Sequence, residues 1–100
     1  MITHIVMWNL LESLSDDQKK SAAETMKEKL EGLHGKIDGL ESICLHIDAV
    51  EPGNRSLTLT AVFKTREDLL FYIDHPEHKK VGAAYVRPFV QDRACMNFED

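Results

Sequence analysis

Seven consecutive residues, Tyr72-Ile73-Asp74-His75-Pro76-Glu77-His78, hold a phenol, two imidazoles and two carboxylates, the densest group of proton-handling side chains in the chain. An imidazole titrates near neutrality and serves as a general base. A phenol kept in a dry site donates to an oxygen on which charge develops. On an unbroken helix Tyr72, His75 and His78 would share one flank, because residues three apart are surface neighbours. Pro76 argues for a different arrangement. Proline lacks the N–H and disfavours helix at the residue before it, so the spacing predicts one short helix ending near Ile73 and a second starting at Pro76. Such a break aims Tyr72 and His78 into the same space from two elements, while His75, next to the proline, supports the turn.

The elements that must position these groups are legible from periodicity. Residues Ile2 to Leu10 read as a strand with His4, Val6, Trp8 and Leu10 on one face and Ile5 and Met7 on the other, so it is apolar on both sides. Ser15 opens a helix with Gln18 as its capping-box partner and Asp16 and Asp17 in the first turn. Ala22, Ala23, Met26, Leu30 and Leu33 follow at helical spacing, for about five turns. Leu40 to Val50 alternates as a strand, Glu51-Pro52-Gly53-Asn54 is a turn, and Ser56 to Lys64 alternates again, which predicts an antiparallel hairpin. Thr65 and Asp68 mark the next helix cap, a short helix runs from Pro76 to about Ala84, and Val90 to Phe98 closes the chain as a fourth strand.

The order strand, helix, strand, strand, helix, strand predicts an α+β, ferredoxin-like domain over residues 1–100: a four-stranded antiparallel sheet with the helices on one face. Those helices cover only one side of the sheet. The other side, holding Ile5 and Met7, predicts a homodimer in which two sheets pack face to face into an α+β barrel.

Composition sets the outer bounds. A formal charge of −5 with no basic cluster argues against a nucleic-acid partner. No segment approaches the roughly 20 apolar residues of a bilayer span, and the first residues lack the pattern of a secretory signal, so the expectation is a cytoplasmic protein with no membrane role. Cys44 and Cys95 have no short spacing and predict reduced, half-buried thiols. His75 and His78 lack a His-Glu-x-x-His context, so neither a metal nor a cofactor is expected.

These features together resemble the stress-responsive A/B barrel (Dabb) family of dimeric α+β barrels. The resemblance rests on His4-Ile5-Val6 in the first strand, on the Tyr-x-x-His-Pro-x-His pattern of Tyr72, His75, Pro76 and His78, and on the strand after Pro88-Phe89. It implies the barrel dimer and, by similarity to a plant polyketide cyclase of the family, a catalytic set of His78, Tyr72 and His4. Where that cyclase has bulky aromatics on its first helix, this chain has Ala22 and Ala23, so its cavity is expected to differ in shape. Trp8, Phe63 and His75 are the expected substrate-binding wall. The leading expectation is cofactor-free acid/base chemistry, cyclase- or lyase-like, on an unidentified carbonyl compound. The alternatives are a non-catalytic stress-response or ligand-binding protein, and a monooxygenase or haem-handling relative by analogy of fold.

Overall fold

The first strand, β1 (Ile2–Leu10), lies inside a four-stranded antiparallel sheet of order β2-β3-β1-β4, with β2 spanning Leu40–His46, β3 Leu57–Phe63 and β4 Val90–Glu99. Its position explains its double-faced sequence. His4, Val6 and Trp8 are buried beneath the helices, while Ile5 and Met7 sit half-buried on the uncovered face. The computed structural model describes all residues 1–100. Helix α1 (Asp16–Glu31) starts at the expected capping box: Ser15 Oγ accepts from Gln18 N at 3.1 Å and Gln18 Oε1 accepts from Ser15 N at 2.8 Å. Helix α2 (Arg66–Asp74) starts at Thr65, whose hydroxyl accepts from Asp68 N. Helix α3 (Pro76–Val81) follows after one extended residue, His75.

The core lies between the sheet and the helices. Met26, Phe63, Leu45 and Tyr72 are each 0% exposed, and each fully buried side chain of this size contributes about 1.5–3 kcal/mol relative to exposure. Strand β2 is an edge, and α1 protects it. Glu31 Oε2 accepts from Leu45 N at 3.0 Å, and Lys27 Nζ donates to Leu45 O at 2.8 Å, so an ion pair occupies the place of a neighbouring strand.

Three boundaries differ from the sequence reading by more than one residue. Strand β2 stops at His46 rather than Val50, because the chain leaves the sheet ahead of the Pro52-Gly53 turn, although Ile47 still packs on the core. Helix α1 (16 residues, about four and a half turns) ends at Glu31 with Gly32 as its cap, two residues before the expected Leu33. The last helix keeps α geometry only to Val81 and then widens into a π-helical turn, Gly82–Val86, and a 3-10 turn, Arg87–Phe89. Cys44 is half-buried as expected, but Cys95 is exposed, because the inner side of β4 faces a cavity rather than packed helix side chains.

Candidate functional site

Pro76 builds the local geometry. Without a helical N–H after His75, α2 ends at Asp74, and His75 adopts φ −65° and ψ 136°. Its imidazole Nδ1 then accepts from Glu77 N at 3.1 Å and caps α3. The break also frees carbonyls at the end of α2, which need other partners. Ile73 O takes one from His78, whose Nδ1 lies 3.1 Å away. A carbonyl only accepts, so His78 Nδ1 carries the proton and Nε2 is the basic nitrogen.

His4 is fixed from the opposite side. The antiparallel register of β1 and β4 sets His4 across from Asn97 and Val6 across from Cys95. Asn97 Oδ1 accepts from His4 Nδ1 at 2.5 Å, which again leaves Nε2 basic. Tyr72 packs against both imidazoles. Its ring centroid is 4.4 Å from that of His78, 6.2 Å from that of His4 in an edge-on arrangement, and 5.2 Å from that of Phe63.

His4 and His78 line one cavity of about 260 Å³. Its apolar wall includes Val6, Trp8, Leu59 and Val86, and its outer side carries Arg87, Arg93 and Cys95. A wider surface depression of about 330 Å³ beside Asn9 and the 49–56 loop contains no imidazole, thiol or phenol. Burial holds the His4 pKa below its ordinary value, against the hydrogen bond to Asn97 and with help from the Arg93 charge. His78 is lowered too, chiefly by burial and further by the charges of His4, Arg87 and Arg93, although its bond to Ile73 O opposes this. Both rings are therefore neutral near pH 7 and competent to accept a proton. Burial alone drives the Tyr72 pKa far above the ordinary phenol value, so this residue stays a donor. Its hydroxyl is buried and has no hydrogen-bond partner.

A family model described as the Stress responsive A/B Barrel Domain (Dabb) matches residues 2–100. The chain belongs to this family. Among solved structures, a dimeric protein of unknown function with a ferredoxin-like fold from Bacteroides fragilis superimposes with a TM-score of 0.91 at 26% identity, over 99% of this chain and 95% of that one. A Dabb family protein from Mesorhizobium loti gives 0.76 at 16% identity, over 99% and 95% of the two chains. A hydroxynitrile lyase from Passiflora edulis gives 0.78 at 13% identity, over 97% and 90%. At the identities of the last two, the likeness is one of fold. No protein of curated function matches the sequence.

Within this Dabb chain the expected residues divide. His4, His78 and Trp8 reach the cavity. Tyr72 touches both histidines but is sealed from the cavity, contrary to the expectation that its hydroxyl opens there, because the rings of Phe63 and His78 enclose it. Phe63 is not cavity wall: it is 0% exposed and packs beneath Tyr72. His75 is not cavity wall either, since capping α3 turns it toward Phe71, 5.4 Å away between centroids. Four lining residues with polar or thiol side chains escape a reading of the sequence: Arg87, Arg93, Cys95 and Asn97. The alternation of Arg93, Cys95 and Asn97 places them on one face of β4, but their meaning depends on β4 pairing with β1. Cys95 Sγ lies 3.9 Å from His4 Nδ1, a contact between the sheet partners rather than the buried thiol expected.

Proposed function

We propose that this Dabb protein is a homodimeric, cofactor-free acid/base catalyst acting on a small carbonyl compound held in the cavity of each subunit. The observation that carries the reading is the pair of desolvated imidazoles, His4 and His78, each tethered through Nδ1 so that a basic Nε2 remains, on the wall of a single cavity. His78 Nε2 takes a proton from the carbon next to the ligand carbonyl, the C–H electrons form the carbon–carbon double bond, and the carbonyl π electrons move to oxygen. Returning the proton to carbon regenerates the ketone and the free imidazole. Tyr72 is the donor to that oxygen. Its orphaned hydroxyl costs about 1–3 kcal/mol while dry and unpaired, a cost relieved when ligand entry opens its seal and an oxygen reaches it while His78 stays tethered to Ile73 O. His4 holds the second basic nitrogen and relays or re-delivers the proton.

The homodimer is supported by the open sheet face, where Met96, 65% exposed in the isolated chain, stands across from Ile5, and by the Bacteroides fragilis neighbour, described as dimeric. The Passiflora edulis neighbour is a hydroxynitrile lyase, an instance of small-molecule chemistry on this fold that supports the catalytic reading. The decisive experiment follows deuterium uptake at the α carbons of butanone in D₂O by proton NMR. Native protein is expected to accelerate uptake, and His78→Gln, which retains a donor for Ile73 O, to reduce it by on the order of 100-fold or more, the scale of losing a general base. Uptake no faster than buffer, or unchanged in the variant, refutes the reading.

A further inference from the structure

Two interruptions of regular backbone each deliver an arginine to the same cavity. The first is the π-helical turn Gly82–Val86, a rare geometry that recurs at functional sites. Arg87 closes it, donating its N–H to Gly82 O, and Gly82 makes room for the guanidinium: a β carbon there would lie 3.3 Å from Arg87 Nη1. The second is the bulge of β4 opposite Trp8, where Asp92 adopts φ 57° and the pairing slips between Met7 and Asn9. In a regular strand Val90 and Arg93, three apart, would face opposite sides. The extra residue lets Val90 pack on the core and Arg93 still face the cavity, the re-aiming that bulges perform near sites. The bulge is held in place by Asn9 Nδ2 to Asp92 Oδ2 at 3.0 Å and Arg55 Nε to Asp92 O at 2.9 Å.

Neither arginine has a partner within the chain. The two salt bridges are Lys27 with Glu31 and Lys64 with Glu41, and none of the 17 acidic residues lines the cavity. The nearest carboxylate along the strand, that of Asp92, is already bonded to Asn9. In a chain of net charge −5, the cavity is thus the place where two unpaired guanidiniums meet an apolar wall. Guanidinium groups recognise planar carboxylates through charge-assisted hydrogen bonds. The volume, about 260 Å³, suits a short-chain ligand.

We infer that the substrate is a short-chain oxo acid, its carboxylate on Arg87 and Arg93, its apolar body on Trp8, Leu59 and Val86, and its keto group at the imidazoles. This rests on the carbonyl chemistry proposed above and names its substrate class. The test compares 4-oxopentanoate, its methyl ester, pentanoate and hydroxyacetone phosphate by NMR titration of the native dimer, with deuterium uptake recorded for the ketones. The expected result is 4-oxopentanoate binding at least tenfold tighter than the ester, with pentanoate bound also. The preference should weaken as salt is raised from about 0.05 to 0.5 M in the unmodified protein, because exposed charge pairs are screened. In an Arg87→Gln, Arg93→Gln double variant, acid and ester should bind alike. Equal binding of acid and ester by native protein, a preference that survives both substitutions, binding of none of the probes, or tighter binding of the phosphate than of the acid would each overturn the inference. Deuterium uptake reads the other proposal separately: an arginine-dependent acid preference without uptake sustains the oxo-acid site and removes the catalysis, whereas uptake with no acid preference does the reverse.

Discussion

Replacing Tyr72 by Phe removes one oxygen and little else, and the structure sets its two opposing effects. The phenol is 0% exposed and its hydroxyl has no partner, so the folded state carries the desolvation of a donor with no bond in return. That penalty is about 1–3 kcal/mol. Against it stands the void left by the oxygen, about 10–15 Å³, which at about 24 cal/mol per Å³ costs roughly 0.3 kcal/mol. Desolvation outweighs the void, so Tyr72→Phe should stabilise the protein by about 1–2 kcal/mol. At about 4–8 °C per kcal/mol for a domain of this size, the melting temperature should rise by several degrees, measured at fixed protein concentration because a dimer's melting depends on it. The same variant should lose about 100-fold in ketone deuterium exchange, the scale of one missing donor to a developing oxyanion. A residue kept only for packing would give the first effect without the second. A destabilised variant would show that the hydroxyl is bonded after all and would refute the orphan-donor argument, while a stabilised variant with undiminished exchange would refute the catalytic role.

Stability should also fall on mild acidification. His4 and His78 have folded pKa values below the ordinary 6.5, so below about pH 6.5 the unfolded chain binds protons that the folded one refuses. Each histidine then costs up to about 1.4 kcal/mol per pH unit until its own folded value is reached, and contributes nothing above pH 7. Urea titrations at pH 7.5 and 5.5 check this, and equal stabilities would contradict the burial of both rings. On the open sheet face, Met7→Glu should convert the proposed dimer to monomer or unfold it by stranding a charge between sheets, whereas Met96→Glu, at a site 65% exposed in the isolated chain, should give a folded monomer. Light scattering that finds both variants still dimeric would place the interface elsewhere.

The elements are legible in the sequence because their signals are local. The Ser15 and Gln18 box, the Thr65 and Asp68 cap and the alternation in β1 and β3 each depend on residues within a few positions. The break at Pro76 is legible for the same reason. Less visible is anything that depends on register. Asn97 sits 93 positions from His4 in sequence and meets it only through the β1 and β4 pairing. Arg93 reaches the cavity through a bulge at Asp92, and nothing in Gln91-Asp92-Arg93 signals a positive φ as glycine would. Arg87 depends on a π turn that the Gly82-Ala83-Ala84 run reads as ordinary helix. Phe63 is misplaced by the sequence pattern because alternation identifies the covered face of a strand but not how far along it the cavity extends.

The tether on His78 traces back to the same proline that splits the helix. In an uninterrupted helix Ile73 O would accept from the N–H of Glu77, four residues on. Here the N–H of Glu77 is given to the His75 ring, and Ile73 O is left for His78. One backbone break thus makes His75 a cap and His78 a ring with a defined tautomer, and packs that ring at a tilt against Tyr72. His4 reaches an equivalent state by strand pairing, through Asn97. Neither imidazole is held by a carboxylate, which would raise its pKa and favour the charged form. A site that instead uses neutral acceptors for both tethers keeps two free bases in a cavity whose only fixed charges are the positive ones of Arg87 and Arg93, and that combination suits the proposed removal of a proton from a ligand that is itself an anion.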